Sequence, residues 1–267
     1  MAIQPTQPQG IGGVLDTAFQ LYKESLGAVW PISLLIAVMS LLPGLYFLFV
    51  GMSTLDPQAI AAGDFSFFRT MVVMVVISVV PSMWGASAML LKQRSIGSDE
   101  PMSTGEAFRV ALLRLLPLIG ATIVYGIAIT VGSILLIVPG LILMLSLIMY
   151  MALVVFETKG PIEAVIGSHK LVWGNWWRTC AVFTVTAILL VVLFIAVGFV
   201  VAIITPFAGM AADSLVAGMV VQLVLNAVVN VLISPFTSAV MIALYWDLKL
   251  RKEGGDLAAR VNALSAA

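Results

Sequence analysis

Long stretches without a charged side chain, separated by short polar segments, set the pattern of this chain. No Asp, Glu, Lys or Arg occurs between Glu24 and Asp56, Arg69 and Lys92, Arg114 and Glu157, Arg178 and Asp213, or Asp213 and Asp247. A helix needs about 20 residues to cross about 30 Å of hydrocarbon. Four of the runs suit one crossing each. The run from Arg114 to Glu157 has 42 interior residues, a helix of about 63 Å and twice the thickness of a bilayer. Pro139 and Gly140 lie near its middle, where a missing backbone donor and a permissive glycine predict a tight turn. The pattern therefore predicts an all-α polytopic membrane protein with six transmembrane helices, at 28–50, 69–91, 116–138, 141–157, 179–204 and 217–245.

A second periodicity precedes each pair of spans. Leu15, Ala18, Phe19, Tyr22 and Leu26 oppose Asp16, Gln20 and Lys23; Phe108, Ala111, Leu112 and Leu115 oppose Glu106 and Arg109; Ile162, Val165, Ile166 and His169 oppose Glu163 and Lys170. This spacing is that of an amphipathic helix. The spans then group as three hairpins, each led by a cytoplasmic interfacial amphipathic helix with an acidic residue early, where it suits the helix dipole. The alternative is that these are ordinary connectors without a repeat.

Composition agrees with the bilayer as solvent. The chain of 267 residues is 61% hydrophobic and 10% charged, against about 25% charged in a soluble domain. Basic and acidic residues number 13 each, a balance that gives no reason to expect nucleic acid as a partner. With six spans, every Lys and Arg except Arg69 falls on one side, opposite Asp56, Asp64 and Asp213. That bias makes the basic side cytoplasmic, with both termini on it. Trp30, Trp173, Trp176, Trp177 and Trp246 fall near expected interfaces. Residues 1–10 are polar and lack the basic and apolar regions of a signal peptide, so they read as a disordered lead. Residues 11–248 form the membrane domain and 249–267 a cytoplasmic tail, in which Lys249, Arg251 and Lys252 are placed to meet anionic lipid heads. The positive-inside bias alone also accounts for those three.

Charged groups are absent from the depth of the spans, which argues against an ion-coupled carrier or proton pump. The sixth span carries Gln222, Asn226, Asn230 and Ser234 at four-residue spacing. Such a stripe either lines a polar cavity or bonds helix six to a neighbour. Thr122, Gly126 and Thr130, with Ser133 continuing the face, form a close-packing stripe on the third span; pairing of helix three with helix six would satisfy both stripes.

No phosphate-binding glycine loop, metal cluster or nucleophile elbow is present, so neither a cofactor nor a catalytic residue is expected. Ser168-His169 has no carboxylate at a recognisable spacing, and the lone histidine reads as a packing residue. Three pieces of the chain carry a resemblance: Gly12-Gly13-Val14-Leu15-Asp16-Thr17-Ala18-Phe19-Gln20-Leu21-Tyr22; Val138-Pro139-Gly140 with Glu157 and Gly160-Pro161-Ile162-Glu163-Ala164; and Leu244-Tyr245-Trp246-Asp247-Leu248-Lys249-Leu250-Arg251 with Gly254-Gly255-Asp256-Leu257. They resemble the membrane domain found with bacterial glycerophosphoryl diester phosphodiesterases. That resemblance implies a six-helix bacterial membrane domain without its soluble phosphodiesterase partner, and no catalytic residue carries over. Many relatives place an arginine shortly after the Pro-Gly pair, where this chain has Leu141-Ile142-Leu143-Met144-Leu145-Ser146-Leu147. The expected function is a non-enzymatic inner-membrane protein, a lipid-associated scaffold or an accessory factor in membrane or envelope homeostasis. Its partners would be membrane lipids, other membrane proteins or further copies of itself. The alternative is a transporter or channel for a small or lipid-like solute, using the polar stripe of helix six.

Overall fold

The computed structural model describes residues 3–51, 66–100, 102–211 and 215–265, with backbone alone for 50–51, 208–211, 215 and 255–265. The loops expected to carry Asp56, Asp64 and Asp213 lie outside these residues. The described residues form helices and no strand: α1 (Ile11–Tyr46) with a π-helical turn at Phe47–Gly51, α2 (Ser66–Gly97), α3 (Thr104–Leu135), α4 (Ile137–Ser146), α5 (Tyr150–Glu157), α6 (Pro161–Val172), α7 (Trp176–Ala211) and α8 (Leu215–Ser265). Among the described residues, six stretches are long and apolar enough to cross a membrane, the fourth being α4 and α5 taken together as Ile137–Glu157. The fold is all-α and multi-pass, as the charge-free runs require.

Two compact units can be distinguished. One comprises Met1–Val29, Ser87–Ala187 and Pro235–Ala267; the other comprises Trp30–Ala86 and Ile188–Ser234. Within the first, α3 packs on α4, α5 and α6. Its core is drawn from Val14, Ala18 and Leu21, from Met89 and Leu90, from Ala107, Ala111 and Leu118, and from Ile242, Leu244 and Leu248. Within the second, a Cβ at Gly85 would lie 2.8 Å from Ile36 and one at Gly44 2.9 Å from Leu223. Consecutive residues Val191 to Ile195 on α7 are all exposed, which only an apolar solvent tolerates.

The turn between the third and fourth spans differs from the expected one. The chain reverses at Leu136, which is extended (φ −165°, ψ 149°). Pro139 and Gly140 belong to the first turn of α4, where a missing proline donor costs no intrahelical bond. Gly140 serves packing: a Cβ there would collide with the Ser133 hydroxyl and lie 3.0 Å from its backbone. Gly132 is the matching position on α3, with Gly140 Cα 3.3 Å from where its Cβ would be. The close approach thus falls on Gly132, Ser133 and Gly140. Gly126 and Thr130, expected in the close-packing stripe, are exposed, and a Cβ at Gly126 would meet nothing within 4 Å.

Of the three amphipathic segments, α6 is a separate helix, whereas the other two are the opening turns of α1 and α3. Their buried arcs are Val14, Thr17, Ala18, Leu21 and Ser25; Ala107 and Ala111; and Ala164, Val165, Ser168, Leu171 and Val172. Each lies about one residue from the apolar face of its segment, so that part of that face is left exposed. Small side chains such as Ala18, Ala107, Ala111, Ala164 and Ser168 point inward beside Leu21 and Leu171 and let helices approach, while Phe19, Leu112, Ile162 and Ile166 point outward.

Residues 3–10, read as disordered, carry specific hydrogen bonds. The amides of Ile3 and Gln4 both donate to the carbonyl of Gly97, at 2.8 and 3.0 Å. The backbone of Gln9 is bonded at both its N–H and its C=O to charged side chains described below. At the other end, the expected tail continues α8 as a helix to Ser265.

Candidate functional site

Helical spacing divides the polar residues that close the sixth span into two stripes: Tyr245, Lys249 and Glu253 on one, Asp247 and Arg251 on the other. The second stripe makes a buried ionic knot. Asp247 is 0% exposed; its Oδ2 accepts from Arg178 Nε at 2.7 Å and from Arg251 Nε at 3.0 Å. Its Oδ1 accepts from the Gln9 amide at 2.8 Å. The same two arginines also donate to the Gln9 carbonyl, Arg251 at 2.7 Å and Arg178 through Nη2. A buried carboxylate is tolerable only when its charge and lone pairs are matched, and here one residue of the N-terminal segment completes the match. Trp246, expected at an interface, is buried, and a Cβ at Gly97 would collide with its ring.

The first stripe builds an open groove. Glu157 Oε1 accepts from the Tyr245 hydroxyl at 2.7 Å and pairs with Lys249 Nζ at 2.8 Å, while Oε2 pairs with Lys159 Nζ at 2.9 Å. Lys249 also reaches Glu253 at 3.3 Å. Lys252 Nζ donates to the Lys170 carbonyl at 2.6 Å, joining α8 to α6. The groove, of about 200 Å³, is lined by Lys159, Lys170, Lys249 and Lys252 against only Glu157 and Glu253, with Leu153, Gly167 and Leu171 as its apolar floor. It therefore carries two more positive than negative groups. Of the expected lipid-head contacts, Arg251 is turned inward to Asp247 and Gln9, and Lys249 is held by two carboxylates. Lys252 keeps an outward position, and the sequence reading missed its neighbours Lys170 and Lys159. Helical proximity of Lys170 to the amphipathic face was the available signal.

The fourth span is broken, which the sequence reading also missed. Between α4 and α5 the chain leaves the helix at residues 147–149, freeing carbonyls at the end of α4. Side chains from three other elements bond carbonyls in this last part of α4. Trp176 Nε1 donates to Ile142 O at 3.3 Å, Tyr125 OH to Met144 O at 3.4 Å and Ser168 Oγ to Ser146 O at 3.0 Å. Ser168 Oγ in turn accepts from the Met149 amide at 3.0 Å. Tyr150, the first residue of α5, stacks on Tyr125 at 4.8 Å and shares a hydrogen bond with Thr122 at 3.1 Å. Of the third-span stripe, then, Thr122 is directed to the fourth span.

Ser146 Oγ and His169 Nδ1 share a hydrogen bond of 2.6 Å, and the imidazole lies 4.9 Å from the Trp173 ring. The pair has the spacing of a nucleophile and its base. Ser146 is fully buried, however, and among the described residues no carboxylate bonds His169. The arrangement fastens α6 to the break. Past α6, Trp173, Gly174, Trp176 and Trp177 border a largely apolar pocket of about 420 Å³ with Ile142. Gly174 turns the chain there with φ +96°, a conformation that favours glycine.

The stripe of the sixth span lies on α8. Gln222, Asn226 and Asn230 are exposed. Asn226 Nδ2 donates to Gln222 O and Asn230 Nδ2 to Asn226 O, both at 2.9 Å. Ser234 is half-buried one turn further along.

No curated protein and no solved structure matches this chain significantly. Residues 60–248 match the family model of a domain of unknown function, DUF7847, a stretch that takes in spans two to five entire, the amide stripe and Asp247. The chain belongs to the DUF7847 family.

Proposed function

We propose that this protein is a non-enzymatic component of a bacterial inner membrane. It associates with anionic lipid through the lysine groove and serves as a scaffold or accessory factor in membrane or envelope homeostasis. The observation that carries this reading is the groove itself, where four lysines and two glutamates meet beside α6. A lysine ammonium is a compact charge suited to phosphate oxygens, and each such charge near an anionic surface contributes about 1 kcal/mol. Two features of α6 support a position in the headgroup plane. Ile162, Ile166 and Lys170 are exposed in one line at four-residue spacing, the isoleucines first and the cation toward the end of the helix. The tryptophan-lined pocket at its end has the amphipathic character that suits the interface. The basic end is then cytoplasmic, with both termini on that side. The motifs that resemble the glycerophosphoryl diester phosphodiesterase membrane domain belong to the same reading, since they supply Glu157, Tyr245, Asp247 and Lys249. Burial of Ser146 is what speaks against a hydrolytic role.

The test is lipid binding by the full chain in nanodiscs of zwitterionic lipid with or without an anionic phospholipid. Lys170→Gln with Lys252→Gln should lower retention of the anionic lipid by about thirtyfold, a loss corresponding to roughly 1 kcal/mol for each charge. Raising salt from about 0.15 to 1 M, which cuts the Debye length from about 8 to 3 Å, should have a similar effect. Equal retention by the wild-type and doubly substituted proteins at low salt would refute the reading.

The transporter reading has one observation in its favour, the broken fourth span, because discontinuous helices form substrate sites in many carriers. In this chain the carbonyls of Ile142, Met144 and Ser146 are taken by protein side chains. That arrangement supports a structural break.

A further inference from the structure

We infer that the amide stripe on α8 is a self-association surface, and that its occupant is the same stripe of a second copy of this chain. Asn226 lies 11 residues beyond Leu215, the first residue of α8, and Asn230 lies 17 before Asp247, which is about 16 and 25 Å along a helix axis. Both amides therefore sit deep in a charge-free span. Each is exposed, and its only bond among the described residues is one N–H donated to its own helix. A carboxamide has two donors and a carbonyl with two lone pairs, so most of its capacity faces outward. Hydrocarbon offers it nothing, and an unmet polar group there costs several kcal/mol.

Which partner fits follows from the chemistry of the amide. It is its own complement, donor to acceptor in both directions. Copies of a membrane protein share one orientation, so two α8 helices meet in parallel about a twofold axis along the membrane normal. In that arrangement Gln222, Asn226 and Asn230 each face their own counterparts, as an isologous interface requires. Met219 and the three polar residues form one exposed line, whereas Val224 and Val228 are exposed on the opposite side of the helix. The valines need no partner in lipid; the amides do.

The experiment uses single cysteines in the full chain after the lone Cys180 is replaced by serine. Cysteine at 222, 226, 230, 224 or 228 is oxidised in native membranes and read on a non-reducing gel. Dimers of this chain should form at 222, 226 and 230, because a disulfide needs Cα atoms within about 7 Å, and should be absent at 224 and 228. Asn226→Leu with Asn230→Leu should weaken the dimer at least tenfold in detergent, while Asn226→Gln with Asn230→Gln should retain it. Equal crosslinking at all five positions, crosslinks to a different protein, or an undiminished dimer in the leucine variant would overturn the inference.

Discussion

Two residues show how single positions decide this fold. Asp247 gathers Arg178, Arg251 and both backbone groups of Gln9. Its replacement by alanine strands two guanidinium groups and an amide, and removing one partner of a buried ion pair costs about 3–5 kcal/mol. Asp247→Ala should therefore lower the thermal midpoint in detergent sharply, and Arg178→Lys should also be destabilising because an ammonium cannot reproduce the guanidinium fork. A midpoint unchanged in Asp247→Ala would show that the knot contributes nothing. Gly140 gives the contrasting case. Its missing Cβ lets α4 meet the backbone of Ser133, so Gly140→Ala should cost about 1–3 kcal/mol through overpacking. Gly126→Ala faces open space and should be neutral or stabilising by up to about 1 kcal/mol, the helix preference of alanine over glycine. The pair of midpoints reports where helix three is closely packed, and the sequence pattern alone chose the wrong glycine. Gly at four-residue spacing and Gly beside a turn look alike in a sequence, because glycine serves close packing and backbone freedom through the same absent Cβ.

At the scale of elements, the fourth span shows what a broken helix needs. Ser168 Oγ bridges the break, donating to Ser146 O and accepting from Met149 N. Ser168→Ala leaves both groups buried without that partner, at about 1–3 kcal/mol each; Tyr125→Phe removes only the cap on Met144 O. Hydrogen exchange at residues 143–150 should accelerate strongly in Ser168→Ala and modestly in Tyr125→Phe, and equal protection in both would deny the bridge its role. Six crossings were legible because charge-free length is a local property. The break was hidden because its supports, Tyr125, Ser168 and Trp176, are each far along the chain from the carbonyls they serve. The amphipathic segments sort their side chains by size. Phe19, Leu112 and Ile162 are exposed, as a bilayer permits, while small side chains such as Ala18, Ala107 and Ala164 face protein and allow close approach.

For the molecule as a whole, charge is distributed with a purpose that the fold makes visible. Span ends that collect basic residues also collect the ion pairs. Glu157 and Asp247 each take two cations and so offset part of their charge. The positive-inside rule counts all basic residues near the span ends, but the cations left to attract lipid are fewer, with Lys170 and Lys252 among them. These two roles separate experimentally. Orientation is fixed during insertion, before Asp247 finds Arg178, so neutralising Lys170 and Lys252 should leave it unchanged. A fluorescent reporter fused after Ala267 should therefore be active in a bacterial host for both the wild type and the Lys170→Gln, Lys252→Gln variant, while a phosphatase reporter inserted within 52–65 is active on the far side. Lipid retention, by contrast, should fall in that variant alone. A change of reporter side in the variant would mean that the groove lysines act as topology signals, and their place beside α6 would then need no lipid ligand to explain it.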